Sequence, residues 1–210
     1  MRDSDTTIKK LKLEIIEMCR RKGWGIDGIQ NPQHVTMAMV VEAMELMEHF
    51  VGITEKDEQM LMAGSMRDER IEIAEEMSDV LMYSMQLMYT LGIDVSKGLC
   101  EDFSDDYTFI SELCRYAGNG SLELMQQAMM VGVKARFVLE AFQWMNDDEV
   151  KALTNGANRQ KANETGNAFA GLFREILILA NMLDIDISAS ITRKIAIVDK
   201  RVYPEDDPVR

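Results

Sequence analysis

Three cysteines, three prolines, two histidines and 7% aromatic residues are all that this 210-residue chain holds of the residues that most often carry structure or chemistry. Cys19, Cys100 and Cys114 are odd in number and lack CxxC spacing, which excludes a disulfide framework and a thiolate zinc site and fits a reducing compartment. They read as small core residues. Of the prolines, Pro204 and Pro208 fall in the tail, so only Pro32 interrupts the body of the chain. Alternating β-branched runs bounded by turn signals are missing, and with them any basis for a sheet. No stretch approaches the roughly 18–20 uninterrupted apolar residues of a membrane-spanning helix. The opening Met1-Arg2-Asp3-Ser4-Asp5 is too polar for a signal peptide, so the expected location is the cytoplasm. Positive charge is scarce: 23 Lys and Arg stand against 36 Asp and Glu, a net charge of -13. That balance argues against nucleic acid as a partner, and admits a small anionic ligand only where a metal recruits it.

What the chain has in abundance is acid at one spacing. Glu42-Ala-Met-Glu45 and Glu76-Met-Ser-Asp79 each set two carboxylates i,i+3 inside apolar runs, and residues three apart are neighbours on a helix surface. Around the first pair, Met37, Val40, Val41, Met44, Leu46, Met47 and Phe50 leave little polar surface, which puts Glu42 and Glu45 on or beside a buried stripe. Around the second, Ile73, Met77, Val80, Leu81 and Ser84 form an apolar side, with Glu72, Glu75, Glu76 and Asp79 as a dense acidic edge. Crowded carboxylates repel and raise one another's pKa, and a bound divalent cation removes the conflict. Oxygen-only ligands select a hard cation, Mg²⁺ or alternatively Mn²⁺. The competing reading is two solvated acidic helix faces, which are common.

The expected fold is all-α, with helices at about 6–22, 32–51, 67–91, 105–117, 121–145, 161–183 and 188–201. Asn31 is placed to cap the second helix with Pro32 at its first position. The chain also repeats itself. Leu91-Gly92-Ile93-Asp94-Val95-Ser96 returns as Leu183-Asp184-Ile185-Asp186-Ile187-Ser188, a shift of 92 residues from 91 to 183. The same shift carries Trp24 to Tyr116, Gly28 to Gly120, Met37 to Met129, Glu48 to Glu140 and Phe50 to Phe142 without a gap, the pattern of a duplicated helical module. In the second copy Glu42 becomes Lys134, Glu45 becomes Phe137, Glu76 becomes Ala168 and Asp79 becomes Gly171. All four acids are lost together while the turn is kept, so the four behave as one unit.

The run from Asn31 and Pro32 through Glu42-Ala-Met-Glu45 to Phe50, followed by Glu75-Glu76-Met77-Ser78-Asp79-Val80-Leu81-Met82-Tyr83 and Leu91-Gly92-Ile93-Asp94, resembles the MazG-like all-α nucleotide pyrophosphohydrolases. That superfamily includes the dCTP pyrophosphatases and the dimeric dUTPases, and its signature is ExxE followed by ExxD on the next long helix. The resemblance covers residues 20–96 closely and 105–204 loosely, the latter through Phe142-Gln143-Trp144 and Arg201-Val202-Tyr203-Pro204. It implies a four-helix module that pairs with another copy, Mg²⁺ held by Glu42, Glu45, Glu76 and Asp79, and hydrolysis of a nucleoside triphosphate to the monophosphate and pyrophosphate in nucleotide-pool house-cleaning. Glu75 or Glu72, adjacent to those ligands, is the candidate to hold a second metal or orient the attacking water. Tyr83 matches a family tyrosine and is a candidate to line the nucleotide pocket, against the alternative of an ordinary half-buried tyrosine.

Departures from the family pattern leave base selection open: Gln30 stands where a histidine is usual, and His34 where an asparagine is. After the first copy, residues 97–106 are acidic, and the basic ending appears only after the second, in Arg193, Lys194, Lys200, Arg201 and Tyr203, with Asp199 at the family's asparagine position. The expected architecture is two similar four-helix modules packed as an internal pseudo-dimer, compatible with a further homodimer. Residues 1–104 carry the metal site, and residues 105–210 form a degenerate module that completes the pocket. Trp24, Phe142 and Trp144 are candidates to stack on a nucleobase, against the alternative of core aromatics, and Lys200 and Arg201 are candidates to contact phosphates. The eighteen methionines read as adaptable core filling. A di-iron bundle needs Glu-x-x-His, which precedes neither His34 nor His49. A non-catalytic regulatory or interaction protein built on a decayed bundle is the remaining alternative, opposed by the retention of all four acids.

Overall fold

Side chains that accept the first free N–H groups decide where these helices begin. In the computed structural model, which describes residues 1–202, the Asn31 side chain accepts from Gln33 N–H with Pro32 at the first position, as expected. Thr7, Asp94 and Asp186 cap other starts in the same way, and Gly92 closes the longest helix in the left-handed region at φ 63°. Among the described residues the elements are α1 (Ile8–Lys22), α2 (Pro32–Glu48), α3 (Glu55–Met62), α4 (Arg67–Leu91), α5 (Val95–Leu99), α6 (Ile110–Ala117), α7 (Leu124–Phe142), α8 (Asp147–Thr154), α9 (Arg159–Met182) and α10 (Ile187–Lys200). Tyr203, Pro204 and Pro208 lie outside the described residues. No described helix is long and apolar enough to cross a membrane.

Three short helices, α3, α5 and α8, stand where the sequence suggested only breaks. α3 and α8 are started by capping boxes, Thr54 with Asp57 and Asn146 with Glu149. Eight residues carry too little apolar periodicity to announce themselves. The helix expected from residue 105 starts instead at Ile110. Asp105 is withheld from it: its buried carboxylate pairs with Lys12 at 2.6 Å and accepts from the N–H groups of Val95 (3.3 Å) and Ser96 (2.8 Å).

The core is built by the four long helices, with α2 on α4, α7 on α9, and α2 against α7. α2 buries Val35, Met39, Ala43 and Leu46, while α7 buries Ala128, Val131, Ala135, Val138 and Phe142. A Cβ at Gly132 would come within 2.5 Å of the Met47 sulfur, so the Met47 side chain of α2 packs directly onto the α7 backbone at this glycine. The expectation that methionines only fill the core needs correcting. Met37, Val41 and Met44 of α2 and Met125, Met129, Val133 and Phe137 of α7 are exposed, because they lie on helix faces turned away from the stripes that pack.

Helix bounds recur along the chain. Shifting α2, α3 and α4 by 92 residues gives 124–140, 147–154 and 159–183, against α7, α8 and α9 at 124–142, 147–154 and 159–182; α5 and α10 also start 92 apart, at 95 and 187. α1 and α6 start 102 apart, at 8 and 110. Contacts are reciprocal. Lys9 N–H donates to Asp105 O and Ser111 N–H to Asp3 O, both at 3.0 Å. Asp105 accepts from residues 95 and 96 at the start of α5, and Asp3 accepts from Ile187 (3.0 Å) and Ser188 (2.7 Å) at the start of α10. Docking is crosswise: α10 lies on α4 and α5 lies on α9.

Candidate functional site

Packing of α2 on α4 brings the two acid pairs to one place. Glu42, Glu45 and Glu76 offer carboxylate oxygens that all lie within 4.8 Å of one another. Glu42 is half-buried and Glu45 exposed. Burial pushes the Glu42 carboxyl up to about 8, helped by the charges of Asp79, Glu45 and Glu76. Glu76 Oε2 is buried with no hydrogen-bond partner. Such a cluster must hold either a proton or a cation. An oxygen-only donor set with one orphaned buried oxygen fits a hard divalent ion on Glu42, Glu45 and Glu76.

Asp79 is placed beside this cluster rather than in it. Its carboxylate pairs with Lys194 of α10, itself only 6% exposed, because α10 docks against this stretch of α4. Burial pushes the Asp79 carboxyl up to about 6, with Lys194 pulling the other way. As a ligand Asp79 would therefore have to be released from, or shared with, an internal ammonium that sequence spacing did not reveal.

The two water-orienting candidates part company. Glu75 is held by Arg193 at 2.7 Å, on the α10 side. Glu72 is exposed and joins His49 and Glu69 in a second group whose ligand atoms lie within 4.8 Å of one another, with His49 Nδ1 2.7 Å from Glu69 Oε1. A cavity of about 480 Å³ lined by Glu45, Glu48, His49, Glu69 and Glu76 joins this group to the first. His49 and Glu69, twenty residues apart in sequence, carry no motif and were not foreseen.

On the other side of Glu42 and Asp79 lies a smaller cavity of about 100 Å³. Trp24, Tyr83 and Gln86 line it together with Lys194 and Arg201. Trp24 is set there by the turn at Gly23, its N–H donating to Cys19 O at 3.0 Å. Three other expected binding residues are elsewhere. Phe142 is fully buried on the inner stripe of α7 and has no face free to stack on a ligand. Trp144 is 87% exposed in the turn after α7, which the Gln33 amide ties to the start of α2 by donating to Phe142 O and Met145 O, more than two helical turns from Glu42. Lys200 points to solvent at the end of α10, whereas its neighbour Arg201 reaches the cavity.

Lys134 on α7 and Gly171 on α9, each 92 residues beyond Glu42 and Asp79 respectively, also adjoin: Lys134 Cδ lies 3.5 Å from where a Cβ on Gly171 would sit. Glu175, at the position of Tyr83, is buried and accepts from Gln127 Nε2 at 2.8 Å. No family model, curated protein or solved structure matches this chain.

Proposed function

We propose that this chain is a Mg²⁺-dependent hydrolase, with Mn²⁺ as an alternative ion, that converts a nucleoside triphosphate to its monophosphate and pyrophosphate, as its resemblance to the MazG-like enzymes implies. The observation that carries the reading is the convergence of Glu42, Glu45 and Glu76 around a buried, unpartnered carboxylate oxygen. These three would hold the ion, with Asp79 joining them on release from Lys194. When bound, such an ion neutralises charge on the phosphates and lowers the pKa of a coordinated water. Lys194 and Arg201 bring positive charge to the mouth of the smaller cavity, where they can orient a phosphate chain, and Trp24, buried to 7% exposure, and Tyr83 form part of the wall against which a base would lie. Of the two water-orienting candidates the reading favours Glu72, which is open to the acidic cavity side, over Glu75, which is committed to Arg193.

The same proposal takes residues 1–104 as the module bearing the site and residues 105–210 as a degenerate second module, packed as an internal pseudo-dimer. Supporting it are the recurrence of helix bounds at a shift of 92, the reciprocal Lys9 to Asp105 and Ser111 to Asp3 bonds, and the crosswise docking of α5 and α10.

One observation favours the alternative of a non-catalytic protein: Lys194 already supplies a cation to Asp79. The deciding experiment is release of pyrophosphate from a panel of canonical and modified ribo- and deoxyribonucleoside triphosphates with Mg²⁺. Equimolar pyrophosphate and monophosphate from at least one of them supports the hydrolase. No turnover across the panel, together with no rise in melting temperature on adding Mg²⁺ or Mn²⁺, replaces it with the non-catalytic reading.

A further inference from the structure

Asp79, Tyr83 and Gln86 stand at i, i+4 and i+7 on α4, so one face of that helix carries in succession an acid, an aromatic ring and an amide. All three line the cavity of about 100 Å³. Gln86 is only 5% exposed, and its Oε1 is buried without a hydrogen-bond partner in the protein. Orphaned buried acceptors are rare in folded proteins, and one that lines a cavity is matched when something enters the cavity and donates to it. The space is far below what a drug-sized ligand occupies. It corresponds to roughly seven to ten water-sized volumes, enough for a ring and its substituents but not for a whole nucleotide.

We propose that Gln86 is the residue that selects the base: the flat ring of the ligand enters the cavity that Gln86 lines, and the Gln86 amide accepts a hydrogen bond from an N–H on the ring's edge. The identity of the ligand as a nucleotide rests on the hydrolase reading above. The role of Gln86 rests on its own burial and its orphaned oxygen. A side-chain amide is both donor and acceptor, and it pairs with base edges that present a donor beside an acceptor. A base lacking that donor leaves the amide oxygen unpaired, so discrimination arises from a group the wrong ligand cannot match. With the base at the amide end, the phosphates extend towards Lys194 and Arg201 at the other. Gln86 lies about 10 Å along the helix axis from Asp79, far enough to place recognition and chemistry at opposite ends of one ligand.

The test is calorimetric titration of nucleoside 5′-monophosphates into the full chain, with no catalytic readout. Each parent is compared with its analogue alkylated on the edge nitrogen: N3-methyluridine, N4,N4-dimethylcytidine and N6,N6-dimethyladenosine monophosphates. The wild type should bind at least one parent about tenfold or more tighter than its alkylated analogue. In Gln86→Leu and Gln86→Met that ratio should fall to within about twofold, with a melting temperature no lower than that of the wild type, since each replacement removes an unpaired buried oxygen. The proposal is overturned if the ratio is unchanged in both variants, which would make Gln86 a solvated core amide, or if no monophosphate binds the wild type at millimolar concentration. Pyrophosphate release separates this outcome from the hydrolase reading. Base discrimination that depends on Gln86 in a protein that turns over no triphosphate would remove the enzyme and keep the selector, whereas turnover with a base preference indifferent to Gln86→Leu would do the reverse.

Discussion

Glu42 is the residue through which pH should act on this protein. Its carboxyl is pushed from 4.5 to about 8, first by burial and then by Asp79, Glu45 and Glu76. The folded chain therefore keeps a proton that the unfolded chain releases above about pH 4.5, so the stability this group contributes is greatest below that pH and declines until about pH 8. For a fully enclosed carboxyl the decline would be about 5 kcal/mol. Glu42 is only half-buried and water screens it, which reduces the expectation to about 1–2 kcal/mol. For a chain of this length that is a fall of about 2–8 °C in melting temperature between about pH 5 and pH 8 in EDTA. Asp79, raised from 3.8 to about 6, adds to the fall in the lower part of that range. A divalent ion needs the ionised carboxylates, so Mg²⁺ should raise the melting temperature little near pH 5 and most near pH 8. Glu42→Gln should flatten the EDTA curve between about pH 6.5 and pH 8 and leave the variant more stable than wild type at the upper end. Thermal melts at matched ionic strength measure all of this. Parallel wild-type and Glu42→Gln curves in EDTA over that interval would refute the repulsive cluster.

Glu45→Gln and Asp79→Asn should each reduce Mg²⁺-dependent pyrophosphate release to background without unfolding the chain, as circular dichroism and turnover together would establish; near-normal turnover at saturating Mg²⁺ would remove that residue from the ligand set. Lys194→Met leaves Asp79 buried beside three other acids, and should lower the melting temperature in EDTA at about pH 8 but much less at about pH 5, where Asp79 takes up a proton. Phe142→Ala should cost about 3–5 kcal/mol in chemical denaturation, as for a fully buried aromatic, while Trp144→Ala should change stability by less than about 0.5 kcal/mol and leave nucleotide affinity unaltered. A non-hydrolysable nucleotide should titrate one site per chain, since Lys134, Phe137, Ala168 and Gly171, each 92 residues beyond one of the four acids, offer no carboxylate.

The parts of this molecule that are local in sequence were legible before the structure. The all-helical character, the Asn31 and Pro32 start and the shared face of Glu42 with Glu45 follow from signals three and four residues apart, which a helix converts directly into proximity, whereas the meeting of Glu76 with that pair needed the docking of α4 on α2. Phe142 was legible in principle, because it continues the series 131, 135 and 138 at the spacing of the buried stripe. What stayed hidden depends on docking between distant segments. Lys194 meets Asp79 only because α10 crosses onto α4, and His49 meets Glu69 only because α2 and α4 lie side by side. No spacing along the chain encodes either encounter.

The crosswise seating of α10 on α4 also bears on how the site comes into being as the chain is made. Glu42, Glu45, Glu76 and Asp79 leave the ribosome more than a hundred residues before Lys194 does, and at typical synthesis rates of about 5–20 residues per second they wait several seconds for it. During that interval α2 and α4 can pair, but Asp79 has no ammonium to meet, and the wall of the smaller cavity formed by Lys194, Val198 and Arg201 does not yet exist. A nascent chain thus carries an open acidic face that attracts whatever cations surround it, and only the arrival of its own last helix gives Asp79 an internal ammonium and closes that side of the face.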